Sequence, residues 1–536
     1  MTTYLVSRLN LSLDASEADA FDMAKKRMRH LGALPSDAVF RLYRKSVDAR
    51  RKSEVHFVAT VAVTGSFPSY DEAKLKAYDV APLAEVQEPD FSPSRPLTAR
   101  PVIVGAGPSG LFCALRLAEA GYAPIIIERG APIEERVRIF ENFCSSRVLC
   151  PESNIQFGAG GAGTFSDGKL VTRISDVAVS KVLETFVEHG APSEILWQAK
   201  PHVGTDILRG VVDSLCRKLT ELGAEICFHT TVTSIDRRDG VIKGVYTTNG
   251  YIPCGLLVLA VGNSANALFR SMLSSDFVIE PKPFSVGMRI EHLQRNIDAS
   301  LYGRFAGHSA LGHAEYQLSF DTKARGVYTF CMCPGGEVVA AASEENTVVV
   351  NGMSNHARDG ENANSAVAVS VFPSDFGATP EGAIAFRESI EREAYRAGGG
   401  RYVAPAVTVG DFLDGTEGTR PTTVRPSYLS GDVRMVSPSR YLPSFVVNSL
   451  QRALTFFEGR ISGFSDRSAI LTGAETRTSC AIRMTRNEKR LAIGTENLYP
   501  IGEGAGYAGG ITSSAADGYR TALTILGEYF PNFTDS

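Results

Sequence analysis

The 536-residue sequence predicts an α/β protein: a parallel sheet flanked by helices, interrupted by an inserted mixed α+β domain and preceded by a small α+β unit. Three observations predict it. Apolar strand-like runs alternate with helical periodicity from Pro101 to about Gly262, the pattern of βαβ units in a parallel sheet. From about Pro281 to Thr472 the texture shifts to Gly, Pro and Ser with β-type runs such as GVYTFCM and GEVVAAA. The C-terminal segment then returns to strand, glycine loop and helix, so the far end of the chain completes the first sheet. The boundaries expected are 1–97 for the small unit, 98–280 and 473–536 for the two parts of the sheet domain, and 281–472 for the insert.

Composition narrows the function classes. At 44% hydrophobic and 21% charged residues the chain is too apolar for wholesale disorder, and its formal charge of -4 argues against a protein built around nucleic acid or an anionic membrane. Nine cysteines without paired spacing indicate neither a disulfide framework nor a structural metal. No apolar run approaches about 18 residues, and MTTYLVSRLNLSLD is not a leader, so a cytoplasmic location is expected.

In the small unit, LVSRLNL alternates as a strand, Ser16 to Leu31 has helical spacing, and FRLYRKSV and EVHFVATVAV read as two further strands. Arg41, Arg44, Lys45, Arg50, Arg51 and Lys52 form a basic hairpin between them. The segment nevertheless carries 14 basic and 13 acidic side chains, which favours a solvated hairpin over a nucleic-acid site. Glu88 to Pro96, with three prolines, reads as a linker.

Fifty glycines mark the chemistry. A GxGxxG spacing should arise by chance about 0.4 times in such a chain, and it begins at Gly105, at Gly158 and at Gly504. The first follows PVIV and opens the helix LFCALRLAEAG, which leads into the strand APIIIE. Gly105 suits the tight turn, Gly107 close approach to a pyrophosphate and Gly110 helix-to-strand packing, with Pro108 and Ser109 at the helix start. Glu128 ends the second strand, where a carboxylate accepts ribose hydroxyls. Beside a 2′-phosphate it would cost roughly 4 kcal/mol at an effective dielectric near 20, which leaves FAD or NAD rather than NADP.

The third motif favours FAD. LYPIGEGAGYAGGITSSAADGYRTALTIL has a strand, a turn and a helix but no second ribose carboxylate after them. Glu503 suits a ribitol hydroxyl, and the N–H groups of Gly510, Ile511 and Thr512 suit the flavin N1/C2 carbonyl. The middle motif, NIQFGAGGAGTFSDGKLVTR, lacks a helical pattern and reads as a loop against a flat ring. Gly161, Gly163, Thr164 and Ser166 are expected near it, with Asp167 and Lys169 as polar groups beside it. Val232, in HTTVTSID, would set its backbone against the adenine, and Ala260 and Gly262 lie in the turn LLVLAVGNSA.

VIVGAGPSG with Glu128, the VLAVG turn and IGEGAGYAGG together resemble the Rossmann-type two-dinucleotide-fold flavoproteins related to glutathione reductase and fumarate reductase. NIQFGAGGAGTFSDGKL, KPHVGTDILRGVV, KPFSVGMRIEH, TFCMCPGGEVV and AGGGRYVAP are similar to a poorly characterised family of FAD-dependent dehydrogenases, over nearly the whole chain. The resemblance implies bound FAD, an oxidoreductase and a substrate-holding insert. It implies FAD contacts at Gly105, Gly107, Ser109, Gly110, Glu128, Arg129, Val232, Gly262, Gly502, Glu503 and Gly510, with Arg136 by further extrapolation. The chain has AVGNSA where flavin hydroxylases carry an Asp-Gly motif, and it lacks a CxxxxC pair, which disfavours a monooxygenase and a disulfide reductase.

The chemistry expected is hydride transfer at the flavin with a small organic substrate, and NADH or NADPH could serve as a transient donor. Acid/base candidates are Asp167, Lys169 and His202, then Arg289 with His292. Cys331 and Cys333 read as buried thiols on one strand face. Arg477, Arg483, Arg486, Lys489 and Arg490 read either as an anion site or as a wet surface. Two other function classes stay open: an RNA-binding flavoprotein using the basic hairpin, and a binding protein whose FAD takes no part in redox.

Overall fold

The computed structural model describes residues 1–32, 34–67, 70–84, 88–172 and 176–533. Its first unit is a four-stranded antiparallel sheet in the order Val39–Asp48, His56–Gly65, Thr2–Leu11, Val80–Pro82. The helix Glu17–Leu31 starts at a capping box between Ser16 and Asp19 and buries Ala20, Ala24, Met28 and Leu31 on the sheet. The basic strand Val39–Asp48 is an edge, and it is covered: Lys45 exchanges backbone hydrogen bonds with Trp197 and Ala199 of the next domain.

The central sheet is parallel throughout, in the order Leu498–Pro500, Leu257–Leu259, Val102–Val104, Ile125–Ile127, Glu225–Cys227. Alternate residues go to different cores. Ile103, Ile126, Val258 and Tyr499 pack with the helices Pro108–Glu119, Thr205–Glu221 and Ile511–Glu528. Val102, Val104, Leu257 and Leu259 pack instead with Val232, Ile242 and Val245 of an antiparallel meander, Val232–Arg238, Val241–Thr247 and Gly250–Pro253. Both faces are therefore covered, as the unbroken apolar runs require.

The insert is a seven-stranded sheet in the order Ser319–Asp321, Gly326–Cys333, Asn362–Val371, Phe284–Leu293, Ile470–Glu475, Ala404–Thr408, Val433–Met435. Phe284–Leu293 is buried along its whole length. The helix expected near Ile384 to Ala397 runs over Pro380–Gly398, capped by Thr379 and stopped at Gly399, whose φ is +91°. The expected boundary at residue 472 falls inside the strand Ile470–Glu475, because pairing with Phe284–Leu293 carries the insert sheet to Glu475. Glu88 to Pro96 is likewise pinned: Glu88 pairs with Arg116 at 2.7 Å and accepts from Tyr519, and Arg95–Leu97 forms a parallel ladder with Tyr529–Pro531.

Candidate functional site

One cleft lies between the C-terminal ends of the parallel strands and the seven-stranded sheet, and all three glycine motifs reach it. Gly105, at φ +105°, turns the chain out of Val102–Val104. A Cβ on Gly110 would sit 1.9 Å from the Gly105 carbonyl oxygen, so the helix Pro108–Glu119 can close on the strand only with glycine there. Gly107 caps that helix with no side-chain acceptor, and Gly107, Pro108 and Ser109 line the cleft. Its first backbone N–H groups are thus left to the cleft.

Glu128 is buried and does more than face the cleft. Its carboxylate accepts from the N–H groups of Ala106 at 2.8 Å and of Gly130 and Gly158, each at 2.9 Å. It therefore ties the first glycine loop, the second strand end and the middle loop to one point. Arg136 is fully buried beneath the middle loop, donating to the carbonyls of Asn154, Ile155 and Ala159 at 2.9, 2.8 and 2.6 Å. Burial pushes its guanidinium down to about 9, with Glu128 opposing. Its position is a correction to the expected cofactor contact: each of its three nitrogens donates to a loop carbonyl. Arg129 also turns away, pairing with Glu152 at 2.8 Å and lying over Phe157.

In the middle loop Gly161, Gly163 and Ser166 line the cleft, and Gly161–Phe165 forms a single 3₁₀ turn. Thr164 is buried behind them, where its carbonyl accepts from Thr205 Oγ1 at 2.7 Å. In the C-terminal loop Glu503, Gly510 and Ile511 line the cleft, and Gly510 begins the helix Ile511–Glu528 without a side-chain cap. Burial raises the Glu503 carboxyl to about 7, although Asn263 Nδ2 donates to it at 2.7 Å. Thr512 Oγ1 points the other way, to the Leu170 carbonyl at 2.8 Å. Gly502 and Val232 are buried outside the lining, whereas Ala260 and Gly262 belong to it.

The facing wall comes from the insert, where residues that the sequence singled out meet others that it did not. Arg289 is completely buried and uses all five of its N–H groups. Two go to Glu475, each at 2.6 Å, and the others to Asn364 at 2.8 Å, the Cys331 carbonyl at 3.1 Å and Asn351 at 3.2 Å. Glu475, Asn351, Cys331 and Cys333 all line the cleft. Cys331 sits at a break in strand register with φ +45°, so the plain alternation expected of the CxC is replaced by a bulge, and Cys331 is the exposed member of the pair. Burial pushes the Cys333 thiol up to about 11.

Asp167 and Lys169 line the cleft, but both are engaged. Arg358 donates to Asp167 at 2.6 and 3.1 Å and Ser354 donates to it as well. Lys169 donates to the Met332 carbonyl and lies 3.6 Å from Glu315. His202 is not in the lining: its ring stacks on His356, 5.2 Å between centroids, and burial lowers its pKa. His292 is fully buried, in contact with Tyr316 at 2.8 Å and held down at about 4 by desolvation. The C-terminal arginines do not form a free anion site. Arg477 is buried on Glu391 at 2.7 Å, and Arg486 and Arg490 share Asp517 at 2.8 and 2.7 Å. Lys489 is exposed beside Glu528, and Arg483 lies over Tyr507.

Of the residues the sequence did not single out as site candidates, Gln156, Asn263, Asn351 and Glu475 line the cleft. Asn263 lies inside the AVGNSA turn and was within reach of sequence reasoning. Asn351 and Glu475 have only strand pairing to bring them in. Among the described residues no group of three His, Cys, Asp or Glu side chains could hold a metal, and no helix is long and apolar enough to cross a membrane.

Residues 283–478, the seven-stranded sheet with its helices, match the family "FAD-dependent protein, C-terminal domain-like", and residues 6–64 match a domain family of unknown function. The insert is thus similar to the C-terminal domain of FAD-dependent proteins. An uncharacterized protein of Clostridium beijerinckii is 40% identical over 531 residues, covering 98% of both chains, and this chain belongs to the same family. Solved structures it resembles include L-proline dehydrogenase from P. horikoshii, at 12% identity over 80% of this chain and 94% of that one with a TM-score of 0.34. Glycine oxidase from Bacillus cereus gives 12% identity, 80% and 95% coverage and a TM-score of 0.31. At such scores the likeness carries no argument about activity.

Proposed function

We propose that the protein is an FAD-dependent oxidoreductase that exchanges a hydride with a small organic substrate held between the two sheets. One observation carries the reading: two helix starts without side-chain caps and two carboxylates, Glu128 and Glu503, converge on one cleft from segments nearly 400 residues apart. That donor set fits FAD. Uncapped N–H groups suit a pyrophosphate and an electron-rich ring edge, and carboxylates suit hydroxyls. Gly107 adds open space, since a Cβ there would meet only Gly161 Cα, at 3.9 Å.

The residues that would hold the group are Gly107, Ser109 and Glu128 at one end and Glu503, Gly510 and Ile511 at the other. Bound FAD supplies a two-electron acceptor at its ring system. Glu503, with its carboxyl near 7, can hold or release a proton at neutral pH at the cleft wall. Arg289 holds Glu475 and Asn351 in fixed positions on the facing wall, and the paired Asp167 keeps the middle loop against the insert. His202, outside the lining, is not proposed as a reacting group.

The test is to purify the protein, measure its flavin-to-protein ratio, and titrate it anaerobically with NADH and NADPH. A ratio near one, lost in Gly107→Val, is expected. A protein that takes up no FAD even when supplied with it overturns the proposal. Bleaching by either nicotinamide would name the donor. In the basic hairpin Arg50 is paired with Asp48 and Lys45 Nζ lies 4.0 Å over the Phe57 ring, so no observation there favours a second reading.

A further inference from the structure

The middle glycine loop meets the insert through an ion cluster in which cations outnumber carboxylates. Arg358 bridges Asp167 and Glu315, at 2.6 and 2.7 Å. Lys169 and Lys200 also approach Glu315, at 3.6 and 3.8 Å. Three cations thus share two carboxylates, and their combined field pulls the Glu315 carboxyl down to about 2 despite its burial. Of these groups Lys169 and Asp167 line the cleft. An ammonium carries three N–H donors, and beyond the Met332 carbonyl and the distant Glu315 no described residue takes up those of Lys169.

A second donor stands beside it. Arg289 and the N–H of Gly352 occupy the Asn351 carbonyl oxygen, at 3.2 and 2.8 Å, which fixes the amide orientation and leaves its NH₂ group without a partner among the described residues. The bulged segment joins the two, since Cys331 gives its carbonyl to Arg289 and Met332 gives its own to Lys169. The anions here are both paired: Glu475 has both oxygens bound by Arg289, and Asp167 has both bound by Arg358. The wall therefore offers hydrogen-bond donors and net positive charge, with no unpaired carboxylate to repel an anion.

We infer that this end of the cleft is the substrate's anion site, and that Lys169 and Asn351 receive a carboxylate group of the substrate. The inference rests on reading the cleft as the FAD site, and it narrows the substrate class to organic carboxylates.

The experiment uses FAD-loaded protein, with flavin content checked first and ligand binding followed by calorimetry and by perturbation of the flavin spectrum. The probes are the unbranched monocarboxylates from acetate to hexanoate, each against the primary amide of the same length. At least one carboxylate should bind ten-fold or more tightly than its amide and weaken with added salt. Lys169→Met should lower that affinity about ten-fold, Lys169→Arg should restore most of it, and Asn351→Leu should lower it several-fold, all with flavin content unchanged. If no carboxylate is preferred to its amide, or if Lys169→Met binds as the parent does, the inference is overturned while the flavin reading stands. If no FAD is taken up, the flavin reading itself fails.

Discussion

Replacing Glu128 by alanine removes the acceptor of three buried backbone donors at once, those of Ala106, Gly130 and Gly158. An unsatisfied buried N–H costs about 1–3 kcal/mol, so the loss should reach about 2–6 kcal/mol even if a water molecule relieves one of them. Arg136 adds to it, because Glu128 is the charge that offsets the burial of its guanidinium. Glu128→Gln keeps the shape but turns one oxygen into an NH₂ that must face a donor, so about half of that loss is expected. The assay is urea unfolding of FAD-free protein followed by circular dichroism, reading the shift in the transition of the parallel-sheet domain. A Glu128→Ala protein within about 1 kcal/mol of the parent would refute the claim that this carboxylate holds the first glycine loop, the second strand end and the middle loop together.

Three other outcomes are expected. Gly110→Ala would drive its Cβ into the Gly105 carbonyl, so the first helix must shift and FAD affinity, read by fluorescence titration, should fall at least ten-fold. The Glu503 carboxyl is higher in the folded chain than its ordinary value of 4.5. It therefore contributes stability that is complete below about pH 4.5 and lost as pH rises through about 7. Its partial exposure at the cleft limits this to about 1–2 kcal/mol in FAD-free protein, and Glu503→Gln should flatten that part of a stability-against-pH curve. Arg289→Met strands the buried Glu475 and should cost about 3–5 kcal/mol, whereas Arg289→Met with Glu475→Leu should recover a good part of it in a double-mutant unfolding cycle.

Much of the FAD half was legible because its signals are local. A turn with positive φ, a helix that must close on a strand, and a carboxylate at a strand end each act within a few residues, so Gly105, Gly110 and Glu128 stand in the sequence as a pattern. The same locality misled at Arg136. It lies close to the motif and is charged, but its guanidinium was claimed by the carbonyls of its own loop. His202 misled similarly, since a histidine in a glycine-bearing segment does not reveal that a second histidine, His356, will stack on it. The C-terminal arginines looked like a patch because the acids that neutralise them, Glu391 and Asp517, are 86 and about 30 residues away.

By itself the sequence determined the parallel sheet, the three glycine loops and the return of the C-terminal helix to the first domain, because turn geometry and apolar periodicity are written residue by residue. Only the tertiary structure decided what faces those loops. Arg289 draws Cys331, Asn351, Asn364 and Glu475 from four separate strands. Lys169 is surrounded by charges from Lys200, Glu315 and Arg358. Ion pairs and strand neighbours of that kind have no period in the chain. They are set by which strands lie side by side and by the need of every buried charge to find a partner.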